Sequence, residues 1–585
     1  MVSARPAVEH PRPESIKETI EQILIAFVLA FIFRCFVVEA FVIPTGSMAT
    51  TLLGQHIDLR CPDCGHHFKV DYQPYGSTGG SAGDSFARVP MRDGSFQPRA
   101  LPLRCDNCSF KLPLQLPDDP DNDAVGPPVR GGDRILVDKI TYLFEAPQRW
   151  DVVVFKSPYY NERIPPPGEP SPPGAYHENY IKRLVGKPGE TIMILDGDIY
   201  ASTADKPVAS LTPADFTIQT KPWRVQQALW RIVYDNDHLP RGLDRVYTDA
   251  RGARFAEQPW RQPWVSDAAG WDTSGRTFVF DGSGPATLRF DRSAMPDRFP
   301  LTDWIAYAVT KSLRGDPSPD LFRDPGYDPA RDPLNDVSDV MLALTYRRQS
   351  GDGPLRLSVS KAGTVFVAEF TPSGVRLVRR DESAEREIGS VSRSGIGRGA
   401  GTRIELVNCD HRVSVRLDGR EVLATTPEDF SPDIAGLIDR FHRRPGAPVH
   451  PPTEVTIEAS AQSAQVAHVS LWRDIYYLNR LNDTLGGFVW GSPLDFPLGR
   501  GEYSLMRLGR DEYFTLGDNS IMSLDGRGWT APIVLPDENL FVDAGRVPDR
   551  FLIGKAFFVY WPAGFRAFDG FPQLLPNFGE MRAIE

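Results

Sequence analysis

The chain has 585 residues, room for two to four domains with their own cores. Charged residues at 24% and hydrophobic ones at 41% are ordinary for a folded chain, and a net charge of −11 argues against a general nucleic-acid binder, which needs a basic surface. Fifty-three prolines and fifty glycines predict long loops and β-structure rather than helix bundles.

Residues 1–20 read as a cytoplasmic amino terminus, followed by the run "ILIAFVLAFIF" from Ile23 to Phe33. Through Ile43 only Arg34, Cys35 and Glu39 interrupt the apolar pattern, so the sequence predicts a transmembrane helix over 21–43. Arg5, Arg12 and Lys17 precede it and the next base is Arg60, the asymmetry of a single-pass protein of the cell (inner) membrane with its remainder extracytoplasmic. A cleaved secretory signal is the alternative, but no small-residue cleavage site follows promptly.

Residues 44–60 read as a turn and a strand. Residues 61–130 form an insert in which two cysteine pairs flank the Gly/Ser-rich run 75–86, with an Asp/Pro tail at 116–128. Between 131 and 225, "DRILVDK", "DVVVFK", "YIKRLVG", "TIMIL" and "DIY" predict strands, the last two joined by an Asp-Gly turn at 196–197. The proline-rich stretch 164–176 reads as a surface excursion. From 226 to 478 many short strands follow without helical stretches, among them the hairpin "HRVSVRL-DG-REVLA". This rhythm predicts an inserted jelly-roll-like β-sandwich, loosely similar to concanavalin- and laminin-G-like modules. It reads first as a structural or shielding insert and second as a module with a carbohydrate or protein ligand. After residue 479 the character of the earlier strands returns.

Cys61-x2-Cys64 and Cys105-x2-Cys108 have the spacing of a zinc ribbon, four thiolates around one structural ion. Two disulfides are the alternative outside the cytoplasm, and a redox role is a third reading. His66 and His67 would be ligands only if a cysteine were displaced, and Cys35 and Cys409 read as unpaired or buried.

Ser47, in "VIPTGSM", needs a base to act as a nucleophile. None of the ten histidines sits in a suitable setting. Lys182 lies in the apolar strand "NYIKRLVGKPGE", where burial would depress its pKa and free its amine.

The boxes around these two residues carry a resemblance. "PTGSM" (44–48) after an apolar segment is similar to the nucleophile box of the type I signal peptidases, the membrane-anchored Ser/Lys leader peptidases. "GDRILVDK" (132–139), "RWDVVVFKSP" (149–158), "YIKRLVGKPGE" (180–190), "GDNSIMSLDGRGW" (517–529) and "LIGKAFFVYWP" (552–562) follow in the family's order. The resemblance implies a mainly β, signal-peptidase-like catalytic fold divided into 44–60, 131–225 and 479–585 by the two inserts. It implies Ser47 as nucleophile, Lys182 as general base, Thr45 and the Ser47 N–H as oxyanion hole, and Ser523 as the residue orienting the lysine. Asp518, Asp525 and Arg527 would support the box through an ion pair, and Met48 would pack near the substrate backbone. Implied substrates are secretory preproteins with small residues before the cut, processed at the lipid surface with no cofactor for catalysis.

The chain departs from the family's pattern at Thr50, at the stretch 520–522, at Gly526 and at Trp150, where glycine is common. Two rival functions are a self-cleaving Ser/Lys protease, disfavoured by the lack of a DNA-binding amino-terminal domain, and an inactive membrane-anchored binding protein on a peptidase scaffold.

Overall fold

The structure, a computed structural model, describes residues 16–71, 88–90, 96–98, 100–115, 129–157, 179–248, 254–256, 258–295, 301–307, 334–382, 384–443, 450–479, 489–497, 504–529, 532–535, 540–564 and 577–585. The run 75–86, the tail 116–128 and the stretch 164–176 lie outside the described residues, as do residues 1–15.

The apolar segment divides into two elements. Helix α1 (Ile16–Phe36) is followed at once by strand β1 (Val38–Val42). Among the described residues no helix is long and apolar enough to cross a membrane. The expected helix over 21–43 is therefore corrected at its distal end, because "VEAFV" finds a strand partner. Val38 to Val42 run antiparallel to Asp138 to Arg134. Short apolar runs do not distinguish a buried strand from a helix, and the β-branched and aromatic content of this one favours the sheet. On α1, Leu24, Phe27, Leu29 and Phe31 stand exposed.

Strand β1 edges the sheet that carries the site. Its other strands are β2 (Arg134–Asp138), β3 (Val152–Lys156), β4 (Asn179–Gly186), β5 (Glu512–Leu516), β6 (Val547–Pro548), β7 (Leu552–Trp561) and β8 (Arg582–Ala583). The order is β1-β2-β7-β3-β4-β5-β6, with β8 pairing β7. Both faces are covered, which explains the nearly continuous apolar reading of "DVVVFK". Val152 and Val154 pack with Ile43, Met48 and Val137, whereas Val153 and Phe155 pack with Leu184, Tyr513 and Trp529. The predicted hairpin Thr191–Leu195 and Asp198–Ser202 forms, turning at Asp196 and Gly197 with φ of 54° and 84°, but belongs to a separate four-stranded sheet.

Within 226–478 an eight-stranded and a seven-stranded antiparallel sheet enclose one apolar core. Phe278, Leu342 and Leu406 come from the first sheet, and Leu288, Leu357 and Phe366 from the second. The Asp-Gly hairpin forms as Arg412–Leu417 and Arg420–Ala424. One expectation fails here. Helix Ile434–Arg443 lies within the block and turns Leu437, Ile438 and Phe441 onto Met193, Leu195 and Tyr200 of the hairpin 191–202. Its short amphipathic pattern between prolines is easily taken for loop. The same seam holds buried charge: Lys221 pairs with Asp410 and Asp474, and Lys361 with Asp198 and Asp339. Burial opposes the charge on Lys221, but the two carboxylates outweigh it and hold its pKa well up.

Candidate active site

Ser47 sits in a one-turn 3-10 helix, Gly46–Met48, all three residues buried. Thr45 precedes the turn in extended conformation and is exposed, its side chain capping nothing. Lys182 lies on β4 opposite Val153, so its side chain shares the face of Val153 and Leu184. From there Lys182 Nζ reaches Ser47 Oγ at 2.8 Å and the Ile181 carbonyl at 3.0 Å. These groups lie 135 residues apart in sequence. Burial pushes the Lys182 pKa down to about 8, against the pull of Asp525 and Asp518, while Arg527 assists the lowering. At pH 7 such an amine is neutral in about one molecule in ten, against about one in three thousand for an unperturbed lysine. The arrangement is chemically capable of transferring a proton from a serine hydroxyl to a neutral amine.

The box 517–529 clamps this pair. Asn519 donates from its backbone N–H to the Ser47 carbonyl (3.1 Å) and from Nδ2 to the Gly46 carbonyl (3.0 Å), fixing both ends of the serine's peptide unit. Gly517 lies so close that a Cβ there would stand 2.4 Å from the Ser47 carbonyl and 2.2 Å from Ser523 Oγ. Asp525 Oδ2 accepts from the Gly517 N–H at 2.9 Å and the carboxylate pairs with Arg527 at 2.7 and 2.8 Å. Arg527 in turn donates to the Ser520 carbonyl and hydroxyl and to the Leu478 carbonyl.

Two expectations about this box need correction. Asp518 does not join the Asp525–Arg527 pair; its carboxylate takes a two-pronged bond from Arg183 Nε and Nη2 (2.7 and 2.8 Å), both side chains fully buried. Ser523 is buried, and among the described residues its hydroxyl makes no hydrogen bond to Lys182; it lies beside Asp525 instead. The Lys182 amine is held instead by the Ile181 carbonyl on its own strand.

Sequence reasoning passed over Arg183 and Asn519. Arg183 carried the same signal as Lys182, a cation in an apolar strand, and an aspartate in a following box to neutralise it. The departures from the family pattern also gain a cause. Trp150 adopts φ 77°, the left-handed region where glycine is at ease, which accounts for glycine being common there. Its ring is buried under Lys221 Nζ at 5.2 Å and its carbonyl accepts from Arg183 at 2.7 Å. At Gly526 a Cβ would stand 2.7 Å from the Phe514 ring, so this chain has no room for serine there.

Beside the serine turn, a cavity of about 620 Å³ opens along Thr50, Arg231, Trp304, Tyr307 and Trp472. Arg231 is buried and donates from Nη2 to the Ala49 carbonyl at 3.2 Å, and burial lowers its pKa to about 10.

The four predicted metal ligands are also brought together. Cys61 and Cys64 lie at the turn between strands His56–Arg60 and His67–Asp71, and Cys105 and Cys108 at the turn between Ala100–Arg104 and Lys111–Gln115. Both turns close in the same way, with the N–H of Gly65 or Ser109 bonding to the carbonyl of the first cysteine and a positive φ at that position. The four buried sulfurs lie within 4.8 Å of one another, with Cys61–Cys108 and Cys64–Cys105 at 3.6 Å. A disulfide needs about 2.05 Å. Four thiolates about 2.3 Å from a tetrahedral zinc stand about 3.8 Å apart, so the donor set and spacing fit that ion.

Residues 121–231 match the model of the family described as signal peptidase, peptidase S26, a stretch that includes Lys182 but not Ser47. The thylakoidal processing peptidase 1 of Arabidopsis thaliana is 23% identical over 151 residues, covering 26% of this chain and 38% of the relative. A signal peptidase I of Leptolyngbya laminosa is 31% identical over 78 residues, 13% of this chain and 34% of the relative. The chain thus spans little more than a third of the length of these curated relatives. Among solved structures, a carbohydrate-binding module from Bacillus subtilis aligns over 36% of this chain and 94% of its own, at 10% identity and a TM-score of 0.21. By the family match and these relatives, this chain carries a type I signal peptidase-like domain.

Proposed function

We propose that the protein is a membrane-associated serine endopeptidase that removes signal peptides from secreted preproteins. The observation that carries this reading is the 2.8 Å contact between a buried lysine amine and a buried serine hydroxyl. Neutral Lys182 takes the Ser47 proton as Oγ attacks the scissile carbonyl. The developing oxyanion is met by the Ser47 N–H, fixed by its 3-10 turn, and by the Thr45 hydroxyl, which turns toward it as the charge appears. Lys182 then returns the proton to the departing amine, leaving an acyl-enzyme, and next deprotonates the water that releases the signal peptide. Asp518, Asp525, Arg527, Arg183 and Asn519 are positioning residues, and the Ile181 carbonyl holds the Lys182 amine. Substrates carry small residues at the first and third positions before the cut, as the family resemblance implies.

The exposed isoleucine, leucine and phenylalanine side chains of α1 are disfavoured in water and accepted by lipid, which supports membrane association next to the serine turn. The divisions 44–60, 131–225 and 479–585 are proposed as the catalytic domain. The sheet pair within 226–478 is proposed as a jelly-roll-like insert, and the cysteine module as a zinc ribbon whose ion, with no open position, is structural. Purified in detergent, the native chain should cleave a preprotein at its signal-peptide junction and Ser47→Ala should not; undiminished cleavage by that variant would overturn the reading.

A further inference from the structure

The cysteine module leans on the segment that leaves strand Arg231–Asp235, and the contact is made by the tips of its two cysteine turns. Asp63 Oδ1 accepts from the N–H groups of Arg241, Gly242 and Leu243 at 2.9 to 3.1 Å, and Arg245 bridges Asp63 to the Cys108 carbonyl. Asn107 accepts from the Asp235 N–H at 2.6 Å and donates to the His238 carbonyl at 2.9 Å. These bonds draw a second group of donors together. His66 comes from one cysteine turn, and Asp235 and His238 come from the segment it touches. One ligand atom from each lies within 4.8 Å of the other two. The two imidazoles meet edge to face, centroids 5.2 Å apart at 81°.

The surroundings resemble a metal site more than a plain polar contact. His66 Nε2 makes a charge contact with Asp106 Oδ1 at 3.1 Å, while among the described residues its Nδ1 and that carboxylate oxygen are buried with no hydrogen-bond partner. A carboxylate on one ring nitrogen and an unengaged second nitrogen is how a histidine is held for coordination. His238 Nδ1 is 3.0 Å from Asp235 Oδ2. A cation can replace that contact by binding the carboxylate and an imidazole nitrogen. All three residues are only partly buried, and His66 and Asp106 line the 620 Å³ cavity, so an ion has a path in.

We propose that His66, Asp235 and His238 form a second metal site, distinct from the four cysteines, that takes a divalent first-row ion, zinc being the best match. Two imidazoles and one carboxylate suit zinc, copper or nickel better than calcium or magnesium. Three protein ligands leave a fourth position for water, unlike the closed cysteine set. The site joins the cysteine module to the strand whose first residue, Arg231, bonds the Ala49 carbonyl two residues past Ser47. The ion therefore acts as a clip between the module and the wall of the serine site.

The test is a metal count on the full-length protein in detergent after equilibration with zinc and removal of free metal. The native chain should hold two zinc ions, the His66→Ala/His238→Ala variant one, and Cys61→Ser/Cys108→Ser should lose the other. Cobalt substitution reads the same site without depending on that count. The native protein should show a nitrogen- and oxygen-ligated visible component beside the sulfur-to-cobalt charge-transfer bands, and His238→Gln or Asp235→Asn should remove only that component. An equal zinc content in the native chain and the histidine variant, with an unchanged cobalt spectrum, would overturn the proposal.

Discussion

Lys182→Ala is expected to lower the rate of preprotein cleavage by on the order of 10⁴- to 10⁶-fold, the range seen when a serine nucleophile loses its base. Among the described residues, Lys182 Nζ is the hydrogen-bond partner of Ser47 Oγ, at 2.8 Å. Lys182→Arg should not restore activity, because a guanidinium stays protonated near neutral pH. Burial makes the substitution informative. An exposed lysine would be replaceable by solvent base, whereas here Lys182 is buried and shares its face with Val153 and Leu184. The Ser47→Ala and Lys182→Ala defects should not add, as expected of two residues in one proton transfer. A Lys182→Ala enzyme within tenfold of native rate would refute the assignment.

Asp518→Ala is expected to cost about 3–5 kcal/mol of folding stability, because it leaves the Arg183 guanidinium buried without its counter-charge. Burial lowers the proton affinity of Arg183 and Asp518 restores it, so the arginine stays charged and needs the carboxylate. The Trp150 carbonyl and the Glu585 backbone oxygen still accept from its Nη1, which holds part of the guanidinium in place. The contrast is an exposed pair such as Arg380–Glu385, half exposed on both sides, where Glu385→Ala should cost less than about 1 kcal/mol. Denaturant unfolding of the two variants measures the difference. Equal, small losses at both sites would contradict the role given to the buried pair.

Much of the peptidase portion could be read in advance because its strands are short, apolar and bounded by turn residues. "DVVVFK" and "YIKRLVG" fall on β3 and β4 almost residue for residue. The Ser47–Lys182 contact was legible only through the order of the boxes, since no local pattern joins residues 135 positions apart. Three features were illegible for physical reasons. "VEAFV" continues an apolar helix in hydropathy and becomes a strand only because β2 offers it an edge. The choice of Arg183 over Arg527 as the partner of Asp518 depends on how two sheet strands meet, which spacing within one box does not encode. The second donor group unites His66 with residues about 170 positions later, across a contact between modules.

The central claim is that a dry environment keeps the Lys182 amine ready to accept a proton from Ser47. Its most direct measurement is the titration of the Lys182 side-chain nitrogen by NMR in the full-length protein, with Ser47→Ala as a companion to separate burial from the serine contact. A midpoint near pH 8, retained in the companion, is the predicted result, with cleavage rate rising through the same range as the neutral amine accumulates. A midpoint near the ordinary lysine value of about 10.4 would show a solvated ammonium at this position and contradict the account.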